Sequence, residues 1–390
     1  METKNMGLYI HIPFCKSKCK YCDFISFANK EDIIDEYIKW LKYELIQVGD
    51  GNKSDYAGGL DKLINLKTIY IGGGTPSFIN SRYIKEILDE VNKHFNVDDN
   101  AEITLEMNPG TVNEKKIVEY KEAGINRLSI GLQSTHNKIL KQIGRIHTYE
   151  DFLESYNLAR KIGFKNINVD LMLGLAEQSL EELVSSVEEI IKLNPEHISI
   201  YSLILEENTV LYDEVNSGKI CLPDDELERK MYWKTKKMLE DAGYMHYEIS
   251  NFAKKGYESR HNMSCWNGEE YIGIGVAAHS YTNNIRYSNI DKIEEYINNF
   301  KIGEELDNLI FHEKQDMESK MKEYMILGLR KLDGISIKEF KSNFTENPIF
   351  KFKNELKKLV EEGLLVIDGD KIKLTDKGLD FANLVWEEFV

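Results

Sequence analysis

Tyr9-Ile10-His11-Ile12-Pro13-Phe14-Cys15-Lys16-Ser17-Lys18-Cys19-Lys20-Tyr21-Cys22-Asp23-Phe24 is the stretch on which the reading of this chain turns. It runs from an apolar segment of strand length, Leu8 to Ile12, straight into a loop carrying three cysteines spaced C-x3-C-x2-C. Thiolate is the soft ligand that holds iron in a cubane cluster, and a cluster held by only three cysteines leaves one iron without a protein ligand. A structural zinc site wants four ligands at tetrahedral spacing. The remaining cysteines, Cys221 and Cys265, lie far along the chain, so His11 is the nearby residue left to complete such a set. A disulfide framework is disfavoured by five cysteines, an odd and sparse count for 390 residues, and no signal sequence precedes them. Cys15, Cys19 and Cys22 are therefore expected to hold an iron–sulfur cluster.

Outward from that loop, short apolar runs alternate with amphipathic stretches of helical period as far as about residue 250. Strands are expected at Leu8 to Ile12, Thr68 to Ile71, Glu102 to Glu106, Arg127 to Ile130, Asn166 to Leu171 and His197 to Ser202. Helices are expected near 31–47, 81–95, 113–123, 149–162 and 179–193. Six βα units in a row require parallel strands with right-handed crossovers and favour a partial or complete barrel over an open doubly wound sheet. The fold class is thus α/β, a partial (β/α) barrel, assigned to residues 1–250, with a barrel-edge segment at 251–300.

In such barrels the site lies at the C-terminal ends of the strands, and the unusual residues of this chain fall there repeatedly. The cysteine loop follows the first strand, Gly72-Gly73-Gly74-Thr75-Pro76 the second, and Glu106-Met107-Asn108-Pro109-Gly110 ends the third. Gln133 follows the fourth strand and Asp170 ends the fifth. A glycine triplet alone marks a tight turn; beside a cluster loop it also lets backbone approach a ligand closely. As residue types, Glu106 and Asp170 suit helix caps as well as a ligand, Arg145 suits an ion pair, and Tyr9 suits the core.

Past residue 301 the pattern becomes mostly helical. Lys314 to Leu329, Ile337 to Phe344 and Phe350 to Glu362 read as helices, and Leu364 to Ile367 and Lys371 to Leu374 flank Asp368-Gly369-Asp370, a hairpin signal. Residues 301–390 are therefore expected to form a winged-helix-like domain. Its lysines are interleaved with Glu355, Glu361 and Glu362, which favours a structural or lid-like role over DNA binding. The formal net charge of −16 excludes general affinity for nucleic-acid backbone or anionic membrane. No stretch reaches about 18 apolar residues, so no transmembrane segment and a cytoplasmic location are expected.

The C-x3-C-x2-C loop and Gly-Gly-Gly-Thr-Pro together resemble the radical S-adenosylmethionine superfamily, in which three cysteines hold a 4Fe–4S cluster. More narrowly, Tyr9 to Cys15 and Arg127-Leu128-Ser129-Ile130-Gly131-Leu132-Gln133-Ser134 resemble the oxygen-independent coproporphyrinogen III oxidase group and its HemW-type heme-chaperone branch. The resemblance spans almost the whole chain. It implies that S-adenosylmethionine is bound by Tyr9, Gly72, Gly73, Gly74, Thr75, Glu106, Gln133, Arg145 and Asp170. An electron donor such as a flavodoxin or ferredoxin is implied with it.

Two features separate the branches. The oxidases carry a further cysteine two positions after the third, where this chain has Phe24, and the Cys-Asp-Phe form resembles the chaperone branch. Arg260-His261-Asn262-Met263-Ser264-Cys265-Trp266 resembles that branch's His-Asn-x-x-Tyr-Trp signature, with Cys265 in place of the tyrosine. Imidazole and thiolate are good heme-iron ligands, and an indole packs against a porphyrin. Heme is accordingly expected at His261, Cys265 and Trp266; as residue types, His261 and Trp266 also suit the core, and Cys265 an inert buried position. The expected function is a heme chaperone that delivers heme to a hemoprotein recipient. The alternative is the oxidative decarboxylation of coproporphyrinogen III to protoporphyrinogen IX, and a third reading is a radical enzyme acting on another substrate. Catalytic residues are not assigned. His279 is a candidate for the cofactor pocket or for the barrel edge, and Cys221 is read as structural.

Overall fold

Strands buried on both faces read as continuous apolar runs, and the six runs foreseen all form strands: β1 (Lys4–Ile12), β2 (Ile64–Gly73), β3 (Asn96–Met107), β4 (Arg127–Gln133), β5 (Ile167–Leu173) and β6 (His197–Ser202). They pair in parallel in the order 1-2-3-4-5-6. The structure, a computed structural model, describes residues 4–51, 64–303 and 308–390.

Helices Ile34–Gly49, Ser81–His94, Glu114–Glu122, Tyr149–Ile162 and Leu180–Leu193 follow successive strands. Local chemistry sets their starts. Thr148 and Ser179 each form a reciprocal capping box with the acidic residue three positions on, Asp151 and Glu182. One face of the sheet, with Leu8, Ile10, Ile69, Ile71, Leu105, Ile130 and Leu171, packs against this helical layer in the main core. Alternation puts Tyr9, Tyr70, Glu106, Ser129 and Asp170 on the opposite face. The inside of the barrel is therefore polar.

Both sheet edges are extended by further strands. β7 (Met245–Glu248) and β8 (Asn251–Ala253) add beyond β6. At the other side β9 (Tyr271–Ile274) runs parallel to β1, followed by β10 (His279–Thr282), β11 (Ile285–Asn289) and β12 (Leu309–Lys314). Among the described residues β7 and β12 remain the edges of one twelve-stranded sheet, so the barrel is partial.

Two expectations need correction. The helix expected from Lys314 spans Met317–Gly328, because β12 consumes residues through Lys314 and the Asp316 carboxylate caps the helix by accepting from Ser319 N at 2.8 Å. The expected single helix from Phe350 is two, Pro348–Lys351 and Lys353–Glu361, broken where Phe352 leaves helical geometry (φ −110°, ψ 40°). A long helix not foreseen, Asp225–Asp241, packs against the helix Leu180–Leu193 and against β5 and β7.

The C-terminal residues build their own core around Met325, Phe340, Phe352, Leu356, Ile372 and Phe389. Ile337–Phe344 forms as expected, and β13 (Ile335–Ser336), β14 (Leu365–Asp368) and β15 (Lys371–Leu374) make a three-stranded sheet. This unit is keyed to the barrel by polar contacts: Trp233 Nε1 donates to Asp380 Oδ1 at 2.6 Å and Lys331 Nζ to Asn267 Oδ1 at 2.6 Å. Arg330 lies over the Trp266 ring at 4.3 Å and the Trp386 ring at 5.1 Å.

Candidate functional site

The cysteine loop is stitched to the glycine turn by backbone. Gly74 N donates to Ile12 O at 2.9 Å, Thr75 N to Phe14 O at 2.9 Å, and Phe27 N to Pro13 O at 2.7 Å. Such closeness excludes side chains. A Cβ on Gly73, whose φ is +113°, would stand 2.6 Å from the His11 ring, and one on Gly74 would stand 2.9 Å from the Pro13 carbonyl carbon and 3.0 Å from Cys15 Sγ. His11 spends both ring nitrogens, 2.8 Å from Tyr9 Oη and 2.8 Å from Ile25 O. Burial lowers its pKa to about 4, against the opposing bond to Ile25. It is thus a strut for the loop rather than a fourth ligand.

Inside the mouth of the barrel lies a cavity of about 460 Å³, with Cys15, Cys19 and Cys22 on its wall together with Glu106 and Asp170. Burial pushes the Cys15 and Cys22 thiols upward, partly offset by the Thr75 hydroxyl at Cys15 and the Phe24 backbone at Cys22. Thr75 Oγ1 stands 3.5 Å from Cys15 Sγ. Among the described residues no three Cys, His, Asp or Glu side chains converge as ligands of a single ion. Thiols spread around one wall suit instead a polynuclear cluster, in which each thiolate binds a different iron.

The acidic groups are desolvated. Tyr70 Oη donates to Glu106 Oε1 at 2.9 Å and Gly73 N to Oε2 at 3.1 Å. Burial nevertheless drives the Glu106 carboxyl up to about 7, with Asp170 adding to the rise. Asp170 is likewise raised by burial, against donors Asn168 Nδ2 at 2.7 Å and Ser129 Oγ at 3.3 Å. Two carboxyl groups held this way suit a ligand carrying an ammonium and hydroxyls. Arg145 bridges the two sides, with Nη1 3.7 Å from Cys19 Sγ and Nη2 2.9 Å from Asn108 Oδ1 while also donating to Gly131 O. Gln133 sits at φ +73°, and its buried Oε1 has no donor among the described residues. An unmet acceptor at a cavity wall is one a ligand can satisfy.

Of the residues foreseen for this site, Gly73, Gly74, Thr75, Glu106, Gln133, Arg145 and Asp170 line the cavity with the three cysteines; Tyr9 and Gly72 do not. Tyr9 lies behind it, its ring stacked on Tyr70 at 6.3 Å. A Cβ on Gly72 would press on the Glu106 carboxyl at 3.0 Å. The sequence reading missed Tyr201, Ile204 and Ser129, which also line the cavity. The same strand-end rule that picked out Asp170 applies to Ser129 and Tyr201. Phe24 and Ile204 form an exposed apolar rim, 65% and 69% accessible.

His261, Cys265 and Trp266 lie elsewhere, on the short helix Arg260–Trp266. Glu102 caps that helix, accepting from Arg260 N and His261 N at 3.1 Å each. The His261 ring is 6% exposed, its Nδ1 is 2.9 Å from Thr68 Oγ1, and it stacks on Tyr70 at 5.2 Å. Burial lowers its pKa to about 4. Trp266 is covered by Arg330, and burial pushes the Cys265 thiol up to about 11. His279 is exposed on β10 away from the cavity, and Cys221 is exposed.

Comparison with known proteins matches this architecture. The Radical SAM superfamily profile matches residues 9–190, and the HemN C-terminal domain profile matches residues 316–381. The protein named heme chaperone HemW in Bacillus subtilis (strain 168) is 38% identical over 385 residues, covering 98% of each chain. Its namesake in Lactococcus lactis subsp. lactis (strain IL1403) is 34% identical, covering 100% of this chain and 98% of that one. The Escherichia coli structure titled as coproporphyrinogen III oxidase (HemN), a radical SAM enzyme, superposes with a TM-score of 0.84 at 22% identity, covering 99% of this chain and 90% of that chain, and shares the fold. No helix among the described residues is long and apolar enough to cross a membrane. With relatives of this similarity along its whole length, the chain belongs to the HemW-type family of the radical SAM superfamily.

Proposed function

We propose that the protein is a heme chaperone that holds a 4Fe–4S cluster on Cys15, Cys19 and Cys22, binds S-adenosylmethionine in the adjoining cavity, and delivers heme to hemoproteins. The observation that carries this reading is the single cavity shared by three thiols and the desolvated pair Glu106 and Asp170. Superfamily membership implies the cluster and S-adenosylmethionine; heme and its delivery rest on the names of the full-length relatives. When bound, the cluster and cofactor supply one-electron cleavage of a sulfonium. The chain's own part is to position and shield. Glu106 meets the cofactor's ammonium, Asp170 accepts from its hydroxyls, Gln133 offers its unmet oxygen, and Arg145 places a cation beside Cys19.

Heme is assigned to the apolar rim at Phe24 and Ile204 rather than to His261, whose ring is enclosed between Thr68 and Tyr70. A flat apolar ring gains most where exposed apolar surface already exists. The complete cavity also supports the second reading, oxidative decarboxylation of coproporphyrinogen III, which would need the same cofactor residues. The test is anaerobic cluster reconstitution followed by parallel assays of heme binding and of porphyrinogen decarboxylation with S-adenosylmethionine and a reductant. Heme uptake without decarboxylation is expected. Robust protoporphyrinogen formation overturns the chaperone assignment in favour of the oxidase.

A further inference from the structure

Behind Asp170 the barrel interior is joined by hydrogen bonds. Neighbouring strands set the residues side by side: Ser129 on β4 pairs with Asn168 on β5, Asn168 with His197 on β6, and Asp170 with Ser199. Asn168, His197 and Ser199 are each 2% exposed or less. Asn168 Nδ2 lies 2.7 Å from Asp170 Oδ1 and 2.8 Å from Ser129 Oγ. On the other side of the amide, Asn168 Oδ1 is 2.6 Å from His197 Nδ1 and 3.1 Å from Ser199 Oγ. His197 Nε2 is 2.8 Å from Tyr247 Oη on β7, and that oxygen accepts from Ser259 N at 3.2 Å. The bonds run unbroken from the cavity wall to Ser259, the cap of the helix Arg260–Trp266.

The place of each proton follows by elimination. An ionised carboxylate only accepts, so the Asn168 amide turns its nitrogen to Asp170 and its oxygen to His197. His197 Nδ1 then carries the hydrogen. Burial, with Arg127 adding to it, holds the His197 pKa well below the ordinary imidazole value, so the ring is neutral and Nε2 accepts from the Tyr247 hydroxyl. Burial raises the Tyr247 phenol, which keeps that proton in place. Every bond from Tyr247 onward therefore donates toward Asp170, and hydrogen bonds in series strengthen one another. Satisfying buried polar groups requires only that each find a partner. A single direction through four residues, ending on a carboxyl that lines the cavity, goes beyond that requirement.

We infer that His197 and Tyr247, neither of which lines the cavity, are positioning residues: acting through Asn168, they hold Asp170 as a pure acceptor, so that the cavity selects a ligand presenting a hydroxyl to it. The inference rests on the reading of Asp170 as acceptor of the cofactor's hydroxyls and adds what keeps it one. An Asn168 amide free to turn would set its oxygen against the carboxylate and favour the protonated acid. A protonated acid donates, and no longer requires a hydroxyl. Asn168 cannot turn while the Nδ1–H of His197 holds its oxygen, and His197 cannot change tautomer while Tyr247 donates to Nε2.

In the cluster-free full chain, proton–nitrogen correlation spectra of the imidazoles report the tautomer of each histidine, and His197 is assigned by the signal missing from His197→Asn. The Nδ1–H form is expected, the reverse of what a free histidine favours in water; Nε2–H overturns the inference. In the anaerobically reconstituted chain, calorimetry compares S-adenosylmethionine with its 2′-deoxy and 3′-deoxy analogues. The unaltered protein is expected to bind at least one analogue about tenfold more weakly. His197→Asn, whose amide nitrogen can stand where Nδ1 stood, is expected to keep that ratio. His197→Gln, whose longer amide reaches Tyr247 instead, and Tyr247→Phe, which frees the tautomer, are expected to lower it to about threefold or less. Ratios that match the unaltered protein in His197→Gln and Tyr247→Phe, or an equal loss in His197→Asn and His197→Gln, overturn the inference. A merely structural role would lower stability in urea without changing the choice between hydroxyl and hydrogen. Equal affinity for all three ligands in the unaltered protein overturns instead the reading of Asp170, and the His197 tautomer then still decides whether the directed chain of bonds exists.

Discussion

Glu106→Gln separates what the buried carboxyl costs the fold from what it offers a ligand. Burial raises its pKa from 4.5 to about 7, a difference that corresponds to about 3 kcal/mol between the charged and neutral forms. In the unfolded chain the group ionises near 4.5, and in the folded chain only near 7, so between those values the native state holds the extra proton. Stability therefore falls as pH rises from about 4.5 to about 7, and is level above. Glutamine preserves the shape and can still accept from Tyr70 Oη, but one of its two ends must face the donor Gly73 N, which costs about 1–3 kcal/mol. Near pH 8 gain and loss roughly cancel; near pH 5 only the loss remains. Urea unfolding of the cluster-free protein at pH 5, 6, 7 and 8 should show the variant lacking about 3 kcal/mol of the wild-type decline. S-adenosylmethionine affinity, by calorimetry at pH 8, should drop by about 100-fold through loss of a charge-assisted contact. Identical pH slopes in the two proteins would refute the reasoning, because the carboxyl would then not be desolvated as its surroundings require.

Cys19→Ala is expected to abolish stable cluster assembly, read as iron and sulfide content and as the absence of a reduced-cluster paramagnetic signal; full incorporation would remove the three-thiolate premise. Gly74→Ala puts a methyl group 2.9 Å from the Pro13 carbonyl carbon, and the overpacking should cost about 1–3 kcal/mol and lower cluster yield by displacing Cys15. His261→Ala should lose about 2–4 kcal/mol in urea unfolding, from the vacated volume and the unpaired Thr68 hydroxyl, while the Soret spectrum of heme-loaded protein stays the same. A changed Soret spectrum at unaltered stability would restore His261 as an iron ligand.

The main architecture was legible because parallel strands under helices demand uninterrupted apolar runs, and their C-terminal ends are where such barrels work. Tyr149–Ile162 is bounded by Thr148 and Gly163, and both ends could be read from residue type. β9 could not be read so easily. It is four residues long with Gly273 in its middle, a residue that weakens a strand on its own terms. The reason for the glycine is tertiary, since a Cβ there would sit 2.1 Å from the His279 carbonyl oxygen. His261 illustrates the other limit. Its motif marks it as special, but the direction of an imidazole, inward to Thr68 and Tyr70, is set by Glu102 capping a seven-residue helix from a strand nearly 160 residues earlier. Tyr9 and Gly72 show the same limit from the other side: both are tied to the site, yet each acts from behind its wall.

The pairing of β1 with β9 also governs when the molecule can be finished during synthesis. Leu8 and Ile10 find their neighbours Ile272 and Ile274 about 260 residues later in the chain. At about 5–20 residues per second, translation takes roughly 15–50 s to supply them. Through that interval the strand leading into the cysteines has an open flank, a site where another chain can pair. A nascent chain stopped before residue 271 would hold all three thiols and yet lack one of the two strands that fix their approach. The flank of the cysteine loop is thereby completed late, after most of the polypeptide exists.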